Sequence, residues 1–129
     1  MRLPGAIEFL QSVLNLFDSD VDRAVFPAGW ISLRVTGRTD ALLGMQQFDL
    51  SGMIEVTLIG NQDAYDTVQE LQRLAIARGG LLHWGQSNGL LTAQDVASQF
   101  PLSLATWSGI QRALGGRTFR NRFMDRCGL

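Results

Sequence analysis

Gly79-Gly80-Leu81-Leu82-His83-Trp84-Gly85-Gln86 is the stretch on which the architecture turns, and it holds the chain's single histidine. It follows directly on a segment with strong helical periodicity. Glycine adopts positive φ at no steric cost, so Gly79 or Gly80 is predicted to cap that helix at its C-terminal end. Leu81-Leu82-His83-Trp84 then reads as a short strand. It delivers two polar-edged rings to the start of a loop, the kind of position that commonly carries function.

Upstream, Asn61 is placed to cap the helix, with Asp63 and Asp66 near its positive end and Arg73 and Arg78 near its negative end. Ala64 or Tyr65, Val68, Leu71 and Ala75 make its buried stripe. Before it, Met53-Ile54-Glu55-Val56-Thr57-Leu58-Ile59 alternates, with Ile54, Val56 and Leu58 on one face. Trp30-Ile31-Ser32-Leu33-Arg34-Val35-Thr36 has the same design, with Ile31, Leu33 and Val35 on the apolar side, and the two strands are expected to pair. The polar stretch between them, residues 37–52, is too long for a tight hairpin and reads as a loop over the polar face of the sheet. Strand, helix and strand form a crossover unit. The arrangement that makes every neighbour antiparallel is a split β-α-β, with the earlier strand inserted between the other two. The expected fold is α+β: a small antiparallel or mixed sheet with a split β-α-β unit and helices packed on one face, residues 1–129 forming a single domain.

Toward the N-terminus, Pro4 suits a first helical turn, and Ile7, Leu10, Leu14 and Phe17 recur at the spacing of one buried helical face. Phe9, Val13 and Leu16 widen that face. Asp18-Ser19-Asp20-Val21-Asp22 reads as the acidic turn that ends this helix. It lacks the glycine and distal glutamate of a calcium loop, so no metal site is expected. Toward the C-terminus, Thr92 caps a short helix over residues 92–99, which Pro101 closes. Leu104, Trp107, Ile110 and Leu114 mark the face of another. Arginines alternate with phenylalanines in the tail; the stronger reading has Phe119 and Phe123 as core anchors and the arginines in water, with no role in binding nucleic acid.

Composition narrows the function classes. The 129 residues are 46% hydrophobic with a net charge of −1, so a core can form and no general field recruits nucleic acid or acidic membranes. All 11 basic residues are arginine, which removes lysine chemistry. Cys127 has no partner for an internal disulfide and no activating base nearby in sequence, and it reads as a passive thiol. No apolar run is long enough to cross a bilayer and no secretory signal is evident, so a cytoplasmic location is expected.

Phe26-Pro27, Ser32-Leu33-Arg34, the Gly79-Gly80 pair with His83-Trp84-Gly85, Phe100-Pro101 and Phe119-Arg120-Asn121-Arg122-Phe123 stand in a distinctive order and spacing. Over roughly residues 25–129 the chain resembles the C-terminal end of the FAD-linked aldonolactone and alditol oxidases, flavoproteins of the vanillyl-alcohol-oxidase type. The resemblance implies the substrate or cap domain of an FAD-dependent oxidoreductase acting on a hydroxyl-bearing small molecule. The cofactor FAD would be shared with a separate FAD-binding domain or subunit. Arg34 matches an arginine that binds the oxidised hydroxyl, and His83, Trp84, Gly85 and Asn121 match positions facing the cofactor. Ser32 stands where that family has its catalytic glutamate, and Gln86 where it has a lysine beside the flavin; Arg34, Ser32 and Gln86 are thus the implied catalytic positions. Against these stand plainer expectations: Arg34 pairs across strands with Glu55, and His83 and Trp84 form a packed pair. A non-catalytic module that docks a partner through the polar sheet face is the alternative function.

Overall fold

The alternation of the two apolar stretches is realised as an antiparallel pair. A computed structural model of the chain describes residues 1–22, 29–59, 62–115, 118 and 120–129; for residues 20–22, 62 and 63 it describes the backbone alone. Strand β1 (Gly29–Thr36) pairs with β2 (Ser51–Leu58) in a continuous register that sets Ile31 opposite Val56, Leu33 opposite Ile54 and Ser32 opposite Glu55. Side chains alternate between faces along a strand. Ile31, Leu33, Ile54 and Val56 therefore share one face, while Trp30, Ser32, Arg34, Met53 and Glu55 share the other. Residues 37–50 return irregularly, and Gln46 Nε2 approaches Met53 Sδ at 3.5 Å, at one end of the polar face.

Among the described residues five helices complete the fold: α1 (Leu3–Asp22), α2 (Gln62–Ala77), α3 (Ala93–Gln99), α4 (Ser103–Ala113) and α5 (Arg122–Cys127). The core joins Phe9 and Val13 of α1, Leu71 and Ala75 of α2, and Val96 of α3 with Leu82, Leu91, Phe100 and Cys127. Ile31, Ile54 and Val56 pack against it from the apolar face of the sheet. Burying a side chain the size of Leu91 or Val13 contributes about 1.5–3 kcal/mol. Helix α1 crosses β2 closely, and a Cβ on Gly52 would lie 2.2 Å from that of Ala6. Among the described residues no helix is long and apolar enough to cross a membrane.

Helix α2 ends as the double glycine predicts. Gly79 adopts φ +69°, its N–H reaches Ile76 O at 2.9 Å, and the N–H of Gly80 reaches Ala75 O at 2.8 Å. These two bonds are the paired closure of a Schellman motif. Helix α3 opens on a reciprocal capping box between Thr92 and Asp95.

Three expectations are corrected. Among the described residues the sheet has two strands, and Leu81 to Trp84 does not form a third. The edge of β2 is instead taken up at one end by the N-terminus: Gly52 N–H donates to Met1 O at 2.9 Å, and Arg2 bridges Ser51. The carbonyls of His83 and Trp84, which a strand would offer to a neighbour, accept instead from Asn88 Nδ2 at 2.9 and 3.2 Å. The acidic run after Phe17 is not a turn either, because α1 continues to Asp22. No residue in the run lacks a backbone donor, and Ser19 Oγ donates to Leu16 O at 2.7 Å, a bond compatible with helix. On α1 and α4 the expected apolar faces are only partly covered: Phe17 and Leu104 pack on the core, whereas Ile7, Leu14, Ile110 and Leu114 are exposed, and α1 buries Phe9 and Val13 instead. Helical spacing says which side chains share a face, not that a partner lies against it. Asn61, Phe26-Pro27 and Phe119, expected as a cap, a motif and a core anchor, lie outside the described residues.

Candidate functional site

The missing third strand leaves a cleft. Gly52 turns its backbone groups away from β1 toward Met1. By the two-residue period of an antiparallel ladder, Ile54 and Val56 present theirs on the same edge. Opposite that edge stand Val68, Leu71 and Ala75 of α2 and the segment from Gly80 to Ser87. The space between is about 600 Å³, within the size range of small-molecule sites. Its floor is apolar, from Phe9, Leu71, Ala75, Leu82 and Ile54, and its polar groups include Arg34, Glu55, Gln72, His83, Gln86 and Ser87. Two segments far apart in sequence, β1 with β2 and the turn after α2, thus bring their chemistry to one opening.

On the strand side, Glu55 is the hub. Its Oε2 accepts from Arg34 Nη2 at 2.8 Å and from Ser32 Oγ at 3.2 Å. The guanidinium and carboxylate compensate each other's charge, leaving the remaining guanidinium donors and carboxylate acceptor sites without a strong net field. The Arg34 side chain is 69% exposed, so the pair adds little to stability and remains available to a ligand.

On the turn side, His83 Nδ1 accepts the N–H of Gly85 at 3.1 Å. A neutral imidazole that accepts at Nδ1 carries its proton at Nε2. In that tautomer His83 offers a hydrogen-bond donor at Nε2. Gln86 N–H closes the turn on His83 O at 3.3 Å. The turn is fixed from below by two buried amides. Gln72 donates to Ser87 Oγ at 3.1 Å and accepts from Leu90 N–H at 3.3 Å, and Asn88 holds the carbonyls of His83 and Trp84. Near the floor, burial lowers the pKa of the Met1 α-amino group, favouring its neutral form.

The residues anticipated from sequence divide accordingly. Arg34, His83 and Gln86 line the cleft together, and Ser32 supports it through Glu55. Trp84 is engaged elsewhere: its indole N–H donates to Leu43 O at 2.9 Å, and its ring stacks on Phe100 at 5.9 Å and meets Phe123 edge-on at 6.1 Å. Gly85 serves as the donor that orients His83. Asn121 caps α5, accepting from Met124 N–H at 3.1 Å. Glu55, known from sequence only as a partner for Arg34, proves central, and Gln72, Ser87 and Asn88 were missed. Gln72 lies beside the apolar stripe of α2, a place where a long amide is ordinarily solvated. Its role follows from what folds over it.

The same geometry bears on FAD. An isoalloxazine is a broad planar ring, and the aromatic that would offer it a platform, Trp84, is packed between two phenylalanines. The backbone donors of Gly79, Gly80 and Gly115 are taken as well. Gly79 and Gly80 close α2, and Gly115 N–H donates to Arg112 O at 3.2 Å. Among the described residues, what fits a flavin is contact along a ring edge from His83 and Gln86, not a cradle for its pyrophosphate. No family model, no curated protein and no solved structure matches the chain.

Proposed function

We propose that the chain is the substrate-binding portion of an FAD-linked oxidoreductase, acting on an uncharged, hydroxyl-bearing small molecule such as a polyol or sugar lactone. The flavin is held by a separate FAD-binding domain or subunit, and the assembly works in the cytoplasm. The observation that carries this reading is the convergence of Arg34, Glu55, His83 and Gln86 on one cleft with an apolar floor. An apolar cleft with a few convergent polar groups suits a small organic ligand. Because Arg34 and Glu55 offset each other at 2.8 Å, the opening favours a neutral ligand over an ion.

Each side chain has a defined task. Arg34 donates to a substrate oxygen, and Glu55 accepts from a substrate hydroxyl. Ser32 holds Glu55 in place, so the carboxylate absent from position 32 itself is supplied from the opposite strand. His83 Nε2–H and the Gln86 amide donate at the other side of the opening. A bound flavin supplies the redox chemistry; these residues orient the hydroxyl-bearing carbon and exclude water from it.

The test is a side-chain and backbone NMR titration of the chain with neutral polyols and sugar lactones, with the corresponding aldonates as charged controls and FAD as a separate arm. The neutral compounds should perturb Arg34 Nε–H, the His83 ring and the Gln86 amide, the aldonates should do so less, and FAD alone should bind weakly. Perturbations confined to residues outside the cleft, or stronger binding of the aldonates, would overturn the assignment.

A further inference from the structure

Among the described residues the other edge of the sheet, that of β1, is unpaired, and its chemistry differs from that of the cleft. Residues Trp30, Ser32 and Arg34 exchange bonds with β2, so Ile31, Leu33 and Val35 turn their N–H and C=O groups outward. Leu33 is 38% exposed and Val35 51%. The eight-residue register runs without a bulge and the strand contains no proline, two devices by which proteins ordinarily blunt an edge. Its one charged side chain, Arg34, is tied to Glu55 of the neighbouring β2. A two-stranded ribbon is moreover a marginal sheet by itself.

We infer that β1 pairs antiparallel with β1 of a second copy of this chain, with Leu33 at the two-fold axis, to make a four-stranded sheet in the order β2-β1-β1-β2. The occupant is argued from the strand's self-complementarity. With Leu33 opposite Leu33 of the partner copy, each Ile31 faces a Val35, so all six outward apolar side chains match on one face. On the other face Arg34 falls opposite Ser32, and Trp30 opposite Thr36. Moving the axis by one residue toward the C-terminus would set arginine directly against arginine, a destabilising pair. Moving it the other way leaves Val35 opposite Gly29, with nothing to pack against. A two-fold contact of this kind is isologous and closes at the dimer. The cleft opens at the far edge of β2, while Arg34, which lines it from β1, stands beside the partner's Ser32 in this arrangement; the pairing is argued from the edge of β1 alone and does not rest on the function proposed for the cleft.

The experiment is sedimentation equilibrium of the intact chain, combined with single cysteine substitutions at Ile31, Ser32, Leu33, Arg34 and Val35 under mild copper-phenanthroline oxidation; Cys127 is buried and serves as the silent background. The expected results are a species of twice the 14.2 kDa chain mass and cross-linking fastest for Leu33→Cys, since a directly opposed pair has Cα atoms about 5.5 Å apart. Val35→Pro removes an outward donor while sparing the ladder to β2 and should give a monomer with its near-UV spectrum retained. Leu33→Lys should give the same by repulsion. A monomeric wild-type chain across the micromolar range, or cross-linking fastest at another position, overturns the inference.

Discussion

Arg126 Nη2 donates to Asn88 Oδ1 at 3.0 Å, joining α5 to the turn that carries His83. The same guanidinium reaches Asn88 O at 3.1 Å and Leu91 O at 3.0 Å. Asn88 is 7% exposed and passes the constraint on through the carbonyls of His83 and Trp84. The arrangement of the cleft on its turn side therefore depends on a residue near the end of the chain. Charge-assisted bonds to groups of limited exposure contribute about 1.5–3 kcal/mol. Arg126→Met, which keeps the apolar stem, should lower unfolding free energy in urea by about 2 kcal/mol. Arg126→Lys should not restore it, because an ammonium cannot span three acceptors with the geometry of a planar fork.

Two adjacent glycines should respond to alanine by different mechanisms. A Cβ at Gly80 would lie 2.8 Å from the Ala75 carbonyl oxygen and 2.5 Å from Met1 Cε. Backbone cannot yield there without breaking the bond that ends α2. Gly80→Ala should cost about 1–3 kcal/mol, as overpacking does, and should also disturb the Met1 contact with β2. At Gly79 nothing lies closer than Gln99 Nε2 at 3.8 Å, and the cost comes from φ +69°. Gly79→Ala should therefore cost about 1 kcal/mol, while Gly79→Asn, better tolerated at positive φ, should recover part of it. Paired urea melts of the three variants separate contact from conformation.

The sequence carried local information well and long-range closure poorly. Period-two alternation in β1 and β2 specified both faces and that the strands pair, but not the register, which sets Ser32 and not Arg34 directly opposite Glu55. The double glycine specified the end of α2 because positive φ at Gly79 is a local demand. Leu81 to Trp84 is different: an apolar run of four is compatible with a strand or with any buried segment. Asn88 decided the matter by binding two of its carbonyls, and nothing local to the run announces that competitor. Arg34 and His83 were visible as chemistry, but Glu55 became part of a site only when Ser32 came opposite it. Trp84 shows the converse. A ring beside a histidine suggested a ligand contact, whereas Phe100, Phe123 and Leu43 O account for its stacking and its donor.

Arg34 should separate stability from binding. Its pair with Glu55 is at the surface on the arginine side, and such pairs contribute less than about 1 kcal/mol. Arg34→Ala should leave the urea midpoint nearly unchanged while reducing affinity for neutral polyols or lactones by tenfold or more. Glu55→Gln should behave alike in stability, because Ser32 Oγ and Arg34 can still donate to an amide oxygen. Equal loss of stability and binding in Arg34→Ala would mean that the ion pair maintains the sheet and has no special part in the cleft.

His83 permits a sharper test, because its two nitrogens have different tasks. Nδ1 accepts from Gly85 N–H at 3.1 Å and shapes the turn, while in the proposed role Nε2–H donates to the ligand of the cleft that His83 lines. The amide of glutamine reaches about as far as Nε2, and the amide of asparagine about as far as Nδ1. His83→Gln should keep an outward donor but forfeit the Gly85 bond, a loss of about 1 kcal/mol in stability. His83→Asn should keep the Gly85 bond, since its carbonyl oxygen accepts in place of Nδ1, but lose ligand affinity. Long-range nitrogen–proton correlation in the wild-type chain should show the Nε2–H tautomer directly. If Nδ1 proves to carry the proton, or if His83→Asn binds polyols and lactones better than His83→Gln, the donor role of His83 fails even where the cleft itself stands.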